Sequence, residues 1–241
     1  MSISRRLLEL ISYPFRLAVR YELTKVFNND IKLALQREAT VSSARYVKEK
    51  MQAVPSCSSK MAVLSLALDQ VEKHGEGLFL EFGVYSGATI NFIARQAPDR
   101  QIFGFDSFEG LPEFWRDGFA AGRFNRKKLP KTRKNVILIT GWFEDTLPSF
   151  LQSHPQTVDF LHIDCDLYSS TKTIFDNLHR NQRLKPGAVI VFDEYFNYPG
   201  WENGEYKAFQ EFIQSSGLGY RYLTYNHRDE QAAVQLTEPQ S

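Results

Sequence analysis

The architecture of this chain is encoded most clearly in the segment Phe79-Leu-Glu-Phe-Gly-Val-Tyr-Ser-Gly87. The segment starts as an apolar run of strand length, passes through a turn that contains Gly83 and Gly87, and leads into a helical pattern. Glycine in such a turn lets the backbone approach a ligand closely and adopt a positive φ. The segment therefore predicts a strand, a ligand-binding turn and a helix, although an ordinary turn of an α/β protein has the same pattern.

The side chains of the turn distinguish between ligand classes. Tyr85 stands between the two glycines, so the turn differs from the G-x-G-x-x-G sequence that binds the pyrophosphate of dinucleotides. Glu81 lies at the end of the strand, beside the turn. Glycines that permit close approach, together with a neighbouring acid, suit a zwitterionic nucleoside better than a pyrophosphate, and S-adenosylmethionine is the leading candidate.

Short apolar runs alternate with helical patterns along most of the chain. After Leu78–Phe82, the further runs are residues 101–105, 135–140, 158–163 and 188–192. This alternation is typical of a parallel sheet covered by helices on both faces. Residues 220–225 and 231–237 are strand-like and joined by a short polar loop, which predicts an antiparallel hairpin. We therefore predict a doubly wound, Rossmann-like α/β fold that ends in this hairpin.

The chain divides into two parts in the sequence. Residues 1–57 are expected to form a helical segment, broken at Pro14 and capped near Asn28-Asn29-Asp30, and residues 58–241 the α/β domain. Residues 55–59 resemble a short linker that ends in helix caps, and the next helix is expected to stop near Gly75. The N-terminal helices would cover the domain as a lid or make a homo-oligomer contact.

The N-terminal stretch is basic as well as apolar. Peripheral membrane contact through residues 1–27 therefore stays open as an alternative. A transmembrane helix is not expected, because Pro14, Arg16 and Arg20 interrupt the apolar residues. A secretory signal peptide would need a longer uncharged core and a clear cleavage site.

Composition limits the classes of partner and compartment. The chain has 241 residues, of which 43% are hydrophobic, and this suffices for one sizeable core. The net charge of +1 gives no support for a nucleic-acid partner. Cys57 and Cys165 form neither a disulfide framework nor a zinc motif, so we expect a cytoplasmic, reducing location. Residues 123–134 carry a basic run that is either a solvated loop or an anion-binding patch.

Acidic residues follow the predicted strands at the points where those strands end. In open α/β sheets, ligands bind beyond these carboxyl ends. Crowded carboxylates repel one another, so they normally require a cation, ligand donors or shared protons. The acids are Glu81, Asp106, Asp164, Asp166, Asp193 and Glu194.

The positions of these acids suggest separate roles. Asp106, after the second strand, can accept the hydroxyls of a ribose, or it can cap Ser107. The pairs Asp164/Asp166 and Asp193/Glu194 can supply hard oxygen ligands to Mg²⁺ or Ca²⁺, or they can cap a helix and accept backbone N–H groups. Trp142, after the third strand, can flank an adenine ring. His162 is expected to be a core histidine with its hydrogen bonds satisfied.

Five segments, in this order, resemble the macrocin O-methyltransferase family, a group of class I S-adenosylmethionine-dependent methyltransferases. The resemblance extends over roughly residues 60 to 237 and does not define a substrate. The segments are Glu81-Phe-Gly-Val-Tyr-Ser-Gly87, Phe103-Gly-Phe-Asp-Ser-Phe-Glu-Gly-Leu-Pro112, Gly141-Trp-Phe-Glu-Asp-Thr-Leu-Pro148, His162-Ile-Asp-Cys-Asp-Leu-Tyr168 and Phe192-Asp-Glu-Tyr-Phe196.

The resemblance implies a seven-stranded sheet and a set of site residues. It implies that S-adenosylmethionine is bound by Glu81, Gly83, Tyr85, Gly87, Asp106, Ser107, Gly141, Trp142 and Asp164. It also implies a Mg²⁺ site formed by Asp164, Asp166, Asp193 and Glu194. Glu194 stands where relatives often have aspartate or asparagine.

The resulting hypothesis is O-methyl transfer to a hydroxyl of a sugar or of another small-molecule or glycan acceptor. Asp164 is the predicted base, and a divalent ion that chelates two neighbouring hydroxyls would lower their pKa. Two alternatives are a non-catalytic protein that binds S-adenosylmethionine and a nicotinamide-dependent sugar enzyme. The acidic residues disfavour the first, and Tyr85 together with the lack of a suitable Tyr-x-x-x-Lys pair disfavours the second.

Overall fold

The predicted alternation of strands and helices is present in the computed structural model, which describes residues 3–26, 29–72 and 75–239. Apolar runs of four to six residues form the buried strands, and amphipathic segments form the helices between them. The helices are α1 (Ile3–Tyr21), α2 (Ile31–Lys50), α3 (Lys60–Leu68), α4 (Ala88–Gln96), α5 (Phe143–Ser153), α6 (Tyr168–Arg180) and α7 (Glu205–Ser216). The strands are β1 (Ser56–Cys57), β2 (Leu78–Phe82), β3 (Ile102–Asp106), β4 (Val136–Thr140), β5 (Val158–Ile163), β6 (Val189–Phe192), β7 (Gly219–Asn226) and β8 (Ala232–Thr237).

The strands form one sheet in the order β1-β7-β8-β6-β5-β2-β3-β4. Only β8 runs antiparallel to its neighbours in this sheet, and it forms the predicted hairpin with β7. One face of the sheet packs against helices that include α5, α6 and α7, for example through Phe209 and Phe175. The other face packs against α3 and α4 through residues such as Leu64 and Ile90. The doubly wound α/β prediction is therefore confirmed.

The expected strand number was wrong by one. Ser56 and Cys57 lie in the predicted linker but form a short strand parallel to β7. The amide of His227 donates to the Cys57 carbonyl at 2.9 Å, and the hydroxyl of Thr224 donates to the Pro55 carbonyl at 2.9 Å. Two residues are too few to show a strand period, so only the partner strand reveals this pairing.

Two predicted helix boundaries were also wrong. Helix α1 continues through Pro14, whose φ lies in the helical range although its ring removes one N–H donor. Helix α3 ends at Leu68 instead of near Gly75. Val71 follows in a turn and stays buried, which explains why the apolar spacing extends beyond the helix. The predicted cap at Asp30 is confirmed, since its side chain accepts the Leu33 amide at 3.1 Å.

The two N-terminal helices differ in their contacts with the domain. Helix α2 contacts the loop between β6 and α7, where the Trp201 indole donates to Ser42 at 2.9 Å and the Asn197 amide donates to Ser43 at 2.8 Å. The described apolar side chains of α1, such as Tyr13 and Phe15, are exposed. Among the described residues, no helix is long and apolar enough to span a bilayer. Membrane contact through residues 1–27 falls partly outside the described residues and stays a prediction, as does the domain boundary at residue 57.

Candidate active site

A cavity of about 740 Å³ lies at the carboxyl ends of the central strands. Its volume is within the range of roughly 300–1,000 Å³ that is usual for small-molecule sites. The sheet brings most of the predicted site residues together here, because parallel strands end at the same edge. Those that line the cavity are Gly83, Tyr85, Asp106, Ser107, Trp142, Asp164, Asp166, Asp193 and Glu194.

The turn after β2 has the left-handed backbone that its glycines predicted. The φ angles are +91° at Gly83, +43° at Tyr85 and +79° at Gly87. A Cβ atom at Gly83 would lie 1.7 Å from the carbonyl oxygen of Asp164. Glycine at this position therefore allows the turn to meet the end of β5. Gly87 begins α4 without a side-chain cap, so its helix N-terminus retains the donor character that favours a polar ligand.

Asp106 holds this turn in place. One of its oxygens accepts the amides of Val84 and Tyr85 at 2.9 and 2.7 Å, and the other accepts the Phe108 amide at 2.7 Å. The cap is therefore on Phe108, not on Ser107 as the alternative interpretation expected. A carboxylate has about four acceptor sites, so these three bonds leave one that a ligand hydroxyl can use.

Glu81 lies behind the turn and is fully buried. One carboxylate oxygen accepts the Thr89 hydroxyl at 3.1 Å, and the other pairs with Nδ1 of His162 at 2.9 Å. Burial opposes protonation of His162, but the Glu81 carboxylate outweighs it and raises the pKa of the imidazole. The predicted core histidine is thus bonded at Nδ1, while its Nε2 has no hydrogen-bond partner among the described residues.

Gly141 and Trp142 join β4 to α5. The Gly141 amide donates to the Asp106 carbonyl at 3.1 Å, which ties this loop to the end of β3. Gly141 has a φ of +139°, and Trp142 is the residue that precedes the first turn of α5. In the strand order, β4 lies on one side of β2, and β5 and β6 lie on the other side. Trp142 therefore lines the cavity from the side opposite the acids that follow β5 and β6.

The acids after β5 and β6 form one cluster that faces the cavity. Burial, followed by repulsion from neighbouring carboxylates, raises the pKa of Asp164 to about 7 and that of Asp166 to about 8. The same causes raise the pKa of Glu194 well above its usual value. Asp193 Oδ1 and Glu194 Oε2 are buried and have no hydrogen-bond partner among the described residues. The cluster therefore has unused acceptor capacity.

Two members of this site were not predicted from the sequence. The Lys60 ammonium forms a salt bridge with Asp193 and lies 3.6 Å from Asp164. Glu205, at the start of α7, is fully buried and accepts the Glu194 amide at 3.1 Å. Neither residue directly follows a strand that the sequence predicted, which was the signal that identified the other acids. Their long-range contacts appear only once the chain is folded.

The donor set fits a divalent cation. His162, Asp164 and Asp193 each offer one ligand atom, and these atoms lie within 4.8 Å of one another. Carboxylate oxygens are the ligands that Mg²⁺ and Ca²⁺ prefer. The two oxygens without partners would gain bonds from such an ion. Lys60 already supplies one positive charge at the same carboxylates.

A loop after β3, which we call the flap (residues 107–126), covers one side of the cavity. Leu111 and Arg123 pair across its base, where the Leu111 amide donates to the Arg123 carbonyl at 2.8 Å. At its tip, Arg116 bonds both oxygens of Glu230 at 2.9 and 3.1 Å. The Arg116 guanidinium also lies 3.8 Å from the centre of the Trp115 ring. The flap thus bridges from β3 to the β7–β8 hairpin.

The basic residues 123–134 extend from the flap toward β4. In the part of the chain that the structure describes, no salt bridge involves any of them. Arg126 stacks 5.1 Å from the centre of the Tyr85 ring, beside the cofactor turn predicted from the sequence. Both interpretations of this run, a solvated loop and an anion-binding patch, agree with these contacts.

Comparisons with known proteins point to one enzyme class. A family model described as a methyltransferase domain matches residues 80–195. Demethyldecarbamoylnovobiocin O-methyltransferase of Streptomyces niveus is 27% identical over 170 residues, which are 58% of this chain and 62% of that protein. The 8-demethyl-8-(2,3-dimethoxy-alpha-L-rhamnosyl)-tetracenomycin-C 4'-O-methyltransferase of Streptomyces olivaceus is 31% identical over 143 residues, 49% of this chain and 53% of that protein. The match thus spans less than two thirds of either relative.

A solved structure agrees with these relatives. The crystal structure of a calicheamicin methyltransferase has a TM-score of 0.56 and 26% identity, and the match covers 72% of this chain and 78% of the other. The residues that the family model matches include the turn after β2 and the acids after β5 and β6 that line the cavity. The resemblance found in the motifs is thereby confirmed: residues 80–195 match a methyltransferase domain, and the relatives that match this chain are O-methyltransferases.

Proposed function

We propose that this chain transfers a methyl group from S-adenosylmethionine to a hydroxyl of a sugar or of a similar polyhydroxylated small molecule. The observation that carries this proposal is the cavity itself, in which the left-handed turn of residues 83–87 and the acid cluster after β5 and β6 share one space. A nucleoside-type ligand on the turn would lie beside carboxylates that can accept a proton.

The turn and its neighbours fit the cofactor. Residues 83–87, Asp106 and Ser107 would hold its amino-acid and ribose parts, and Trp142 would flank its adenine. The free acceptor site on Asp106 and the uncapped N-terminus of α4 support this assignment. The bound cofactor supplies an activated methyl group, and the chain has to hold the acceptor oxygen about 3–3.5 Å from it.

Asp164 is the proposed base. It lies at the end of β5, in contact with the backbone of the turn through Gly83, and it lines the cavity. Its pKa of about 7 matches a group that must accept a proton near neutral pH. Asp193 lies nearby, and the Lys60 ammonium contacts both carboxyl groups.

We also propose that the acid cluster binds a divalent ion. Asp164 and Asp193 would hold it together with Nε2 of His162, because these three groups lie close enough to share an ion. Asp166 and Glu194, from the same cluster, are further candidate ligands. When bound, Mg²⁺ would lower the pKa of an acceptor hydroxyl. The buried carboxylate oxygens without hydrogen-bond partners among the described residues support this ion. Removal of metal with a chelator tests the alternative, a metal-free reaction that uses only Lys60 and the carboxylates.

The flap supports a sugar-like acceptor. It contributes Trp115, Phe119 and Phe124 to the cavity that also holds the acid cluster. An aromatic wall together with a few polar groups suits a ligand that has an apolar face and a row of hydroxyls. The name of the Streptomyces olivaceus relative also specifies a rhamnosyl group as the site of methylation. The basic residues 123–134, which form no salt bridge with any described residue, would further favour an acidic or nucleotide-linked sugar.

The test combines binding and turnover. Calorimetry should show binding of S-adenosylhomocysteine and none of NAD, and radiolabelled cofactor should methylate sugar acceptors with neighbouring hydroxyls. Asp106→Asn should weaken cofactor binding about tenfold, because a charge-assisted acceptor is lost from the turn. Asp99→Asn, at an exposed position after α4, is the matched control and should bind normally.

Other outcomes would select the alternatives. Cofactor binding without turnover on any acceptor would support a non-catalytic binding protein. NAD binding would support the nicotinamide-dependent sugar enzyme. Turnover that is insensitive to EDTA would retain the methyltransferase and remove the metal.

A further inference from the structure

Among the described residues, Lys60 is the one lysine or arginine that forms a salt bridge with the acids after β5 and β6. It is the first residue of α3, which is fixed by the Ser59 cap and by the buried residues Val63 and Leu64. Its ammonium bonds Oδ2 of Asp193 and lies 3.6 Å from Oδ2 of Asp164. The side chain is only 30% exposed.

The Lys60 ammonium occupies the position that a bound cation would take between Asp164 and Asp193. An ammonium bridges one carboxylate from the end of β5 and one from the end of β6, which are also two of the three groups close enough to share a metal ion. Both carboxylates would otherwise repel each other at a buried position. The remaining oxygen of Asp193 has no hydrogen-bond partner among the described residues, so the ammonium satisfies only part of the pair.

We propose that Lys60 is the built-in counter-cation of the Asp164–Asp193 pair and that it competes with a divalent ion for these carboxylates. The chain would therefore bind a divalent ion only when the ammonium moves away. This inference rests on the metal part of the proposed function and is independent of whether methyl transfer occurs. It makes Lys60 a determinant of metal affinity, a role that none of the sequence motifs assigned to it.

The groups that face Lys60 are consistent with this role. Glu194 and Glu81 lie close enough for their charges to act on it, in addition to the two aspartates. The cluster therefore contains more carboxylates than one ammonium neutralises. A doubly charged ion would balance the site better, so removing the ammonium should favour that ion.

The experiment measures Mn²⁺ affinity directly, by calorimetry and by electron paramagnetic resonance, without cofactor or acceptor. Lys60→Gln should bind Mn²⁺ at least about tenfold more tightly than the wild type, because a charge-assisted contact no longer opposes the ion. Lys60→Arg keeps the charge and should stay near the wild type. Lys172→Gln, which removes a lysine paired with Asp176 on the surface, is the matched control.

A second readout uses the unmodified chain. Lysine acylation followed by mass spectrometry should label Lys60 slowly in EDTA and faster when Mn²⁺ is added, while Lys172 is labelled equally in both. Equal or weaker Mn²⁺ binding by Lys60→Gln, or labelling of Lys60 that does not respond to bound Mn²⁺, would overturn the inference. If Lys60→Gln folds poorly, the labelling experiment still decides. Loss of methyl transfer in the wild type would instead count against the proposed function.

Discussion

At Gly83, two backbone segments meet so closely that no side chain fits between them. Its α-carbon faces the Asp164 carbonyl, and an added Cβ would lie 1.7 Å from that oxygen. Gly83→Ala should therefore lower the free energy of unfolding by about 3 kcal/mol or more, because the turn or the end of β5 must move. Urea denaturation followed by circular dichroism measures the loss.

Gly187 supplies the control for this substitution. It has a φ of +98°, close to the +91° of Gly83, but nothing lies within 4 Å of its hypothetical Cβ. Gly187→Ala should cost only the left-handed backbone penalty of about 1–2 kcal/mol. Equal losses at the two positions would mean that backbone conformation, and not the contact with Asp164, accounts for the glycine.

The protonation of Asp164 gives a prediction for pH. Burial and the neighbouring Asp193 raise its pKa to about 7, so the carboxyl group holds its proton below this pH and can accept one above it. The rate of methyl transfer should therefore rise as the pH increases through about 7 and then level off. Asp164→Asn should abolish this rise together with most of the activity, a loss of roughly 100-fold or more for a general base.

The measurement is the rate at saturating cofactor from pH 5.5 to 9, with EDTA and with Mg²⁺. A bound cation favours the ionised carboxylate, so Mg²⁺ should shift the rise to lower pH. A rate that is constant across this range in EDTA, or an Asp164→Asn variant with normal activity, would remove Asp164 as the base.

At the scale of elements, the strands that have an alternating pattern or a long apolar run could be predicted from the sequence. Residues 158–163 matched β5, and the hairpin of β7 and β8 was expected from its two runs and short loop. The strand β1 could not be predicted, because its two residues pair with β7 about 170 residues later and have no pattern of their own. The end of α3 was predicted too late in the chain, because Val71 is buried although it lies beyond the last residue of the helix.

The site also contains residues that could be predicted from the sequence and residues that could not. The acids after β3, β5 and β6 could be predicted because each follows a recognisable strand and parallel strands end at one edge. Lys60 and Glu205 directly follow no strand that the sequence predicts. Only the packing of α3 and α7 brings Lys60 to the Asp193 carboxylate and Glu205 to the Glu194 backbone amide. The three backbone bonds of Asp106 were also hidden, since local sequence does not indicate which amides a turn presents.

The flap is the element whose contacts predict substrate selectivity. Arg116 at its tip bonds Glu230 and stacks on Trp115 beside the cavity. Arg116→Met should raise the KM for the acceptor about five- to tenfold, because the flap loses a charge-assisted bond that positions its aromatic residues. The cofactor affinity should stay unchanged, since the turn after β2 makes no bond to Arg116 among the described contacts.

Steady-state kinetics, in which the methylated sugar product is measured, give the KM for the acceptor. Calorimetry with S-adenosylhomocysteine gives the affinity for the cofactor. Arg221→Met is the control, because Arg221 bonds Gln235 on the outer face of the hairpin. Equal loss of cofactor binding and acceptor binding in Arg116→Met would show that the flap acts on the whole site and not on the acceptor alone.

At the scale of the whole molecule, the two N-terminal helices differ in their contacts with the α/β domain. Helix α2 is joined to the β6–α7 loop by the bonds of Ser42 and Ser43, and Met51 beyond its end is buried. That loop carries Glu194 at its start, so α2 supports one wall of the cavity. The described side chains of α1 are largely exposed, and its place as a lid, oligomer contact or membrane contact stays a prediction.

Two truncations test this division. Deletion of residues 1–28 should leave the melting temperature within about 2 °C of the full chain, because few described contacts are lost. Deletion of residues 1–52 should lower it by about 6 °C or more, since the Ser42 and Ser43 bonds and buried Met51 are removed. Differential scanning calorimetry measures both variants, with S-adenosylhomocysteine binding as a check of the cavity. A large loss from the shorter deletion would mean that α1 packs on the domain and is part of its core.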